Sequence, residues 1–397
     1  MGLNDTSSAN RVHIAFFGKR NAGKSSLVNS ITNQEISVVS NILGTTTDPV
    51  YKAMELLPIG PVMIIDTPGF DDEGELGELR IKKTKQVLNK TDIAVLVIDS
   101  QIGKSDCDME LISLFTKKNI NYIVVYNKSD LKKHTAENEI SVSTLTGEGI
   151  EALKEKIAKS VPCNCQDTGI VGDLINPHDF VLLVTPIDKA APKGRLILPQ
   201  QQTIRDILDS DAIAIVTKEN EISDTLAGLN KKPSLAICDS QVFKLADEKV
   251  PYDIPLTSFS ILFARYKGNL KSAVLGAKAI ETLKNGDTIL ISEGCTHHRQ
   301  CNDIGTVKLP AMIKKHTGLN LNFEFTSGTQ WCEDFSKYSM IVHCGGCMLT
   351  EREIKYRIKT AQDNNIPITN YGILMAYING ILKRSISIFN DISNILD

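Results

Sequence analysis

Gly18-Lys19-Arg20-Asn21-Ala22-Gly23-Lys24-Ser25 is the stretch whose reading decides the fold. It follows an apolar, β-branched run at Val12–Phe17 and precedes a helix-like segment, the setting of a phosphate-binding loop. Glycines let backbone N–H groups approach phosphate oxygens, and the start of the following helix adds a favourable dipole. Asn21, Ala22, Gly23, Lys24, Ser25 and Ser26 are the expected loop contacts. Lys24 is placed to bridge the β- and γ-phosphates, and Ser25 to offer its hydroxyl to Mg2+. Alone, such a loop marks a P-loop nucleotidase and nothing narrower.

Four further segments follow in the order that a GTPase requires. Gly44-Thr45-Thr46-Thr47-Asp48 supplies a second Mg2+ ligand, read as Thr46. Asp66-Thr67-Pro68-Gly69 closes a strand, with Asp66 holding the metal through water and the Gly69 amide sensing the γ-phosphate. Lys24, Thr46, Asp66 and Gly69 thus form the expected catalytic set. Asn127-Lys128-Ser129-Asp130 closes another strand and selects the base. The Asp130 carboxylate can accept from both N1–H and the 2-amino group of guanine, and adenine offers neither. Two charge-assisted bonds of roughly 1.5–3 kcal/mol each give orders of magnitude of discrimination. Ser143 and Thr144 open a loop similar to the one whose backbone meets the guanine carbonyl. The expected ligands are GTP and Mg2+.

Phe70 stands where Ras-like proteins carry their water-orienting Gln, and a phenyl ring cannot orient water. Intrinsic hydrolysis is therefore expected to be slow, on the order of 10⁻⁴–10⁻² per second or less. This region resembles the GTPases of tRNA modification and ribosome assembly. That resemblance implies K+ stimulation, with Asn21 helping to hold the ion.

At 397 residues the chain is too long for one hydrophobic core. Short apolar runs at Val62–Ile65, Ile93–Ile98 and Tyr122–Tyr126 alternate with helical segments, as a parallel sheet covered on both faces requires. A linker-like break containing Cys163 and Cys165 ends this part. The expected class is α/β: a doubly wound P-loop GTPase domain (1–165) followed by two smaller α/β domains (170–255 and 256–397). In the last two, strands are expected at Phe180–Val184, Ala212–Val216, Ser234–Cys238, Thr288–Ser292, Asn320–Phe325 and Ser339–Val342. Closing helices are expected at Glu351–Asp363 and Tyr371–Lys383.

The formal net charge of −3 excludes a global basic field, so neither nucleic acid nor an anionic membrane is an expected partner. No run approaches 18 apolar residues, and no charged start precedes an apolar stretch at the N-terminus, which predicts a cytoplasmic chain. Nine cysteines without paired spacing fit reduced thiols and metal binding better than disulfides.

A second chemistry lies in the last third. Cys295-Thr296-His297 and His343-Cys344-Gly345-Gly346-Cys347 each follow the end of an apolar run. Ligands of open parallel sheets gather beyond the carboxyl ends of strands, so the two segments can converge. Gly345 and Gly346 allow a tight turn that turns both thiolates towards one ion or cluster. By chemistry alone, zinc and a three-cysteine iron–sulfur cluster remain equal alternatives. A GTPase followed by this Cys-x-His and His-Cys-x-x-Cys pattern resembles the FeFe-hydrogenase maturation GTPases along the whole chain. The resemblance implies a 4Fe-4S cluster on Cys295, Cys344 and Cys347 with an exchangeable fourth position. His297, His343 and Asp188 are candidates for that position. It further implies a homodimer that receives a di-iron precursor from radical-SAM hydrogenase maturases and passes it to FeFe-hydrogenase. The competing reading is a tRNA-modification or ribosome-assembly GTPase with a structural zinc. A nickel-delivery GTPase is a third, but the scattered Cys/His spacing does not resemble a His-rich delivery tract.

Overall fold

The computed structural model describes residues 8–32, 48–57, 59–70, 83–134, 139–161, 169–187, 196–294, 303–328, 330–332 and 334–396. The chain divides into two compact units, Met1–Cys165 and Gln166–Asp397.

The first unit is built on six strands: β1 (Val12–Phe17), β2 (Val50–Leu56), β3 (Gly60–Asp66), β4 (Ile93–Asp99), β5 (Asn121–Asn127) and β6 (Ile140–Ser141). Their order is β2-β3-β1-β4-β5-β6, parallel except for the antiparallel β2–β3 pair. Both faces are covered, and the alternation along β1 explains how. Ile14 and Phe16 enter one core with the helices Lys24–Thr32 and Ile150–Ser160. Ala15 and Phe17 enter the other with Asp106–Lys117. Successive side chains of a strand point to opposite faces, so a strand buried on both sides reads as one continuous apolar run.

The second unit carries two four-stranded sheets, both wholly parallel. One comprises β7 (Phe180–Val184), β8 (Ile213–Thr217), β9 (Leu235–Cys238) and β10 (Leu256–Ser258), in the order β10-β9-β7-β8. The other comprises β11 (Thr288–Glu293), β12 (Asn322–Ser327), β13 (Met340–His343) and β14 (Ile368–Asn370), in the order β12-β11-β13-β14. A single hydrophobic core runs beneath both, joining Val181–Val184 to Ile289, Ile291, Met340 and Val342. The alternate residues Leu290 and Ile341 face a smaller core under the helix Glu351–Asp363.

The sequence expectations differ from this fold at five places, one of them the two-residue strand β6. β2 is an additional antiparallel edge strand with mostly exposed residues. β10 and β14 are three-residue strands that no periodicity could mark. β12 lies two residues later than expected. The single helix expected over 371–383 breaks into Tyr371–Ile378 and Leu382–Ile386, because Gly380 takes φ +74°. Among the described residues no helix is long and apolar enough to cross a membrane.

Candidate functional site

In a parallel sheet every carboxyl end lies at one edge, and strand register decides which residues meet there. Phe16 pairs with Asp66, Asp99 with Asn127, and Tyr126 with Ser141. The loop after Phe17, Asp66, Asn127 and the segment after Ser141 therefore share one crevice.

Within it, Ser25 Oγ donates to Asp66 Oδ2 at 2.5 Å, so the expected metal-ligating hydroxyl and carboxylate touch directly. Lys24 is buried, and its Nζ donates to the Gly18 and Lys19 carbonyls at 3.1 and 2.7 Å. These bonds hold the ammonium inside the loop. Gly18 and Gly23 take φ +139° and +89°. A Cβ at Gly23 would stand 2.1 Å from Asn127 Nδ2, which itself donates to the Ala22 carbonyl at 3.1 Å. Gly23→Ala should therefore weaken GTP binding on the order of a hundredfold, through strain and overpacking. Fluorescence titration with a labelled guanine nucleotide measures this, and unchanged affinity would contradict the close approach.

The base-selecting residues are equally organised. Asn127 is buried, and its Oδ1 accepts from the Thr144 N–H at 3.4 Å. Ser143 Oγ donates to Asp130 Oδ1 at 2.6 Å, which fixes an otherwise exposed carboxylate. Lys128 takes φ +65°, and its Nζ donates to Asp99 Oδ2 at 2.6 Å. Asp99 was not singled out from sequence; its signal was only its place at the end of an apolar run. Phe70 is buried among Phe17, Ile65 and Leu88, so its ring belongs to the core and its backbone N–H reaches Gly18 O at 3.4 Å. Asn21 lies exposed on the loop with φ +60°. Thr46 lies outside the described residues.

The same register logic applies to the last sheet, where Ser292 pairs with His343 and His343 with Asn370. The Gly294 N–H donates to Cys344 Sγ at 3.0 Å, which brings the residue before Cys295 onto the Cys344 sulfur. Gly346, with φ +64°, turns the chain so that Leu349 N–H donates back to its carbonyl at 3.0 Å. A Cβ there would press on Ile354 Cδ1 at 2.7 Å. Burial raises the Cys347 thiol, with a further push from Cys344, while Lys267 lowers it.

His343 is buried, and desolvation with help from Arg357 pushes its pKa down to about 4. Its Nδ1 stands 2.5 Å from the Cys344 carbonyl, an acceptor, so the neutral ring carries its proton there and its lone pair on Nε2. Arg357, also buried, pairs with Glu353 at 2.8 Å and donates to Ser292 Oγ at 3.1 Å beneath these strand ends. Lys267 contributes a buried ammonium to the turn's far side. Its pKa is pulled down to about 8 by burial, so it stays mostly cationic at neutral pH. Neither Arg357 nor Lys267 carries a local sequence signal that marks it for this site.

Among the described residues no group of three or more His, Cys, Asp or Glu stands ready to hold a metal ion. Cys295, His297 and Asp188 lie outside the described residues. What is described fits a thiolate-bound centre. Two soft sulfur donors are separated by a tight Gly-Gly turn, and a backbone amide already donates to one sulfur.

Residues 13–128 match the family model described as a 50S ribosome-binding GTPase. Residues 170–268 match the hydrogen maturase F dimerization domain, and residues 271–388 its tetramerization domain. The chain belongs to the hydrogen maturase F family. Its GTPase region is similar to the tRNA modification GTPase MnmE of Lactococcus lactis subsp. cremoris, 37% identical over 149 residues, covering 36% of this chain and 32% of that protein. It is also similar to GTPase Der of Wolinella succinogenes, 35% identical over 167 residues, covering 37% and 35%. The chain thus spans about a third of the length of these curated relatives. A solved structure of Aquifex aeolicus Era bound to GDP and AlF4− aligns at 20% identity with a TM-score of 0.35, covering 60% of this chain and 97% of that one. Both hydrogen maturase F domains are self-association domains, so this member carries two regions for assembling copies of itself.

Proposed function

We propose that the chain is a GTP-hydrolysing scaffold and carrier. It binds a 4Fe-4S cluster through Cys295, Cys344 and Cys347, accepts a di-iron precursor as cargo from radical-SAM maturases and delivers it to FeFe-hydrogenase in the cytoplasm. The observation that carries this reading is the order of parts on one chain. A GTPase domain precedes both hydrogen maturase F domains, and the second of these holds the Cys344–Cys347 turn at its strand ends. In this proposal residues 1–165 form the GTPase domain, 170–255 mediate dimerisation and 256–397 hold the cluster, with dimers assembling further through the last region.

The cluster supplies an iron corner open to exchange. His343 is kept neutral for that corner, alongside His297 and Asp188 as the other candidates. Two groups act on the thiolates from the protein side: the Gly294 amide donates to sulfur, and Lys267 provides a nearby cation. In the first unit, Lys24 neutralises phosphate charge, Ser25, Thr46 and Asp66 organise Mg2+, and Gly69 senses the γ-phosphate. Hydrolysis is slow because no side chain at position 70 orients water. Asn21 would help hold a K+ ion, which would supply positive charge beside the phosphates, and the GTP state gates partner exchange.

Co-production with both radical-SAM maturases followed by mixing with hydrogenase polypeptide made without them tests delivery. Hydrogen evolution is expected from that mixture and none from chain produced alone; equal results from the two would contradict the carrier role. For K+, GTP turnover should fall at least tenfold when Na+ replaces it, and an unchanged rate would remove Asn21 from ion binding.

A further inference from the structure

Lys267 ends the helix Phe259–Lys267, in the region that matches the dimerization domain. A lysine in the last turn of a helix is ordinarily a solvated partner of the helix dipole. This one is 2% exposed. Its Nζ donates to the Cys347 and Leu349 carbonyls, each at 3.3 Å, so it closes the back of the cysteine turn from 80 residues earlier in the chain. The Phe263 ring lies 5.8 Å from the ammonium. Among the described residues no carboxylate stands within ion-pair distance of it. The groups near it that can carry negative charge are the Glu351 carboxylate and the Cys347 sulfur, the latter only as a metal-bound thiolate.

A buried ammonium satisfied by two long carbonyl bonds is costly unless an anion compensates it. A thiolate-bound iron–sulfur centre supplies that anion. Resting on the cluster reading above, we propose that Lys267 is the charge-balancing residue of this centre and favours the cluster's reduced, more negative state. Net charge and hydrogen bonding near the sulfurs set the potentials of such centres. Removing the cation should therefore make reduction harder without removing a ligand.

The test uses the full chain, reconstituted anaerobically with iron and sulfide, and compares wild type with Lys267→Met, Lys267→Gln and Lys267→Arg. Iron and sulfide are assayed, and the reduced fraction is followed by EPR in a redox titration. Met and Gln variants should keep the iron content but show about a tenfold lower ratio of reduced to oxidised cluster at fixed potential. For a one-electron couple that equals about 59 mV. Arg should restore the wild-type ratio. Should the Met variant fail to fold, the Gln and Arg pair carries the comparison. A Gln ratio equal to wild type would mean that only a donor is needed and would overturn the proposal, as would Met and Gln ratios within twofold of wild type. Wild-type protein without iron and sulfide would instead overturn the cluster reading, and this proposal with it.

Discussion

Asp130→Asn should lower the affinity for GTP by about 10²–10³, from the loss of two charge-assisted bonds to guanine. The change keeps the local shape. The amide oxygen can still accept from Ser143 Oγ, which now donates to Asp130 Oδ1 at 2.6 Å, and Asn127 remains buried beside it. The loss would then report recognition chemistry and not unfolding. An Asn amide donates where the carboxylate accepted, so the variant should gain affinity for a xanthine nucleotide, whose 2-position bears a carbonyl. Competition binding with GTP, ATP and XTP reads all three. GTP affinity unchanged within twofold would remove Asp130 from base selection.

The second large effect belongs to the cysteines. Cys344→Ser and Cys347→Ser should each reduce bound iron to background and abolish visible absorption, because a serine hydroxyl is a poor, hard substitute for a thiolate. Cys295→Ser should do the same. Nucleotide affinity, carried by residues of the other unit, should stay within about twofold. Cys238→Ser serves as the control. That thiol is fully buried, raised well above its ordinary pKa by desolvation, and its sulfur faces the Thr257 carbonyl at 3.6 Å. Iron retained after loss of Cys344 or Cys347 would contradict their role as ligands.

The nucleotide crevice was legible because its requirements are local. Backbone approach to phosphate demands glycine at positions 18 and 23, and strands buried on both faces must be continuously apolar. What was not legible depended on tertiary context. β2 exposes most of its side chains at a sheet edge, so neither alternation nor a hydrophobic run marks it. β14 follows Pro367 and is only three residues long, yet it completes the sheet that carries the cysteines. The break at Gly380 was hidden within an apolar stretch that satisfies helical spacing on both sides.

At the second site, sequence placed Cys344 and Cys347 at a strand end, and the Gly294 amide on the Cys344 sulfur joins the Cys344 N–H on the Ser292 carbonyl in linking the two strand ends. Lys267 and Arg357 could not be found that way. Each is an ordinary helix residue by local pattern, and only the packing of segments far apart in sequence buries it beneath the site. His343 read as an open ligand from sequence. Its tautomer, fixed by the Cys344 carbonyl, is a property of the folded turn.

Iron, sulfide and zinc analysis of the anaerobically purified chain separates an iron–sulfur centre from a structural zinc. Iron with an equal amount of acid-labile sulfide and no stoichiometric zinc is expected. Zinc without sulfide would contradict the cluster reading.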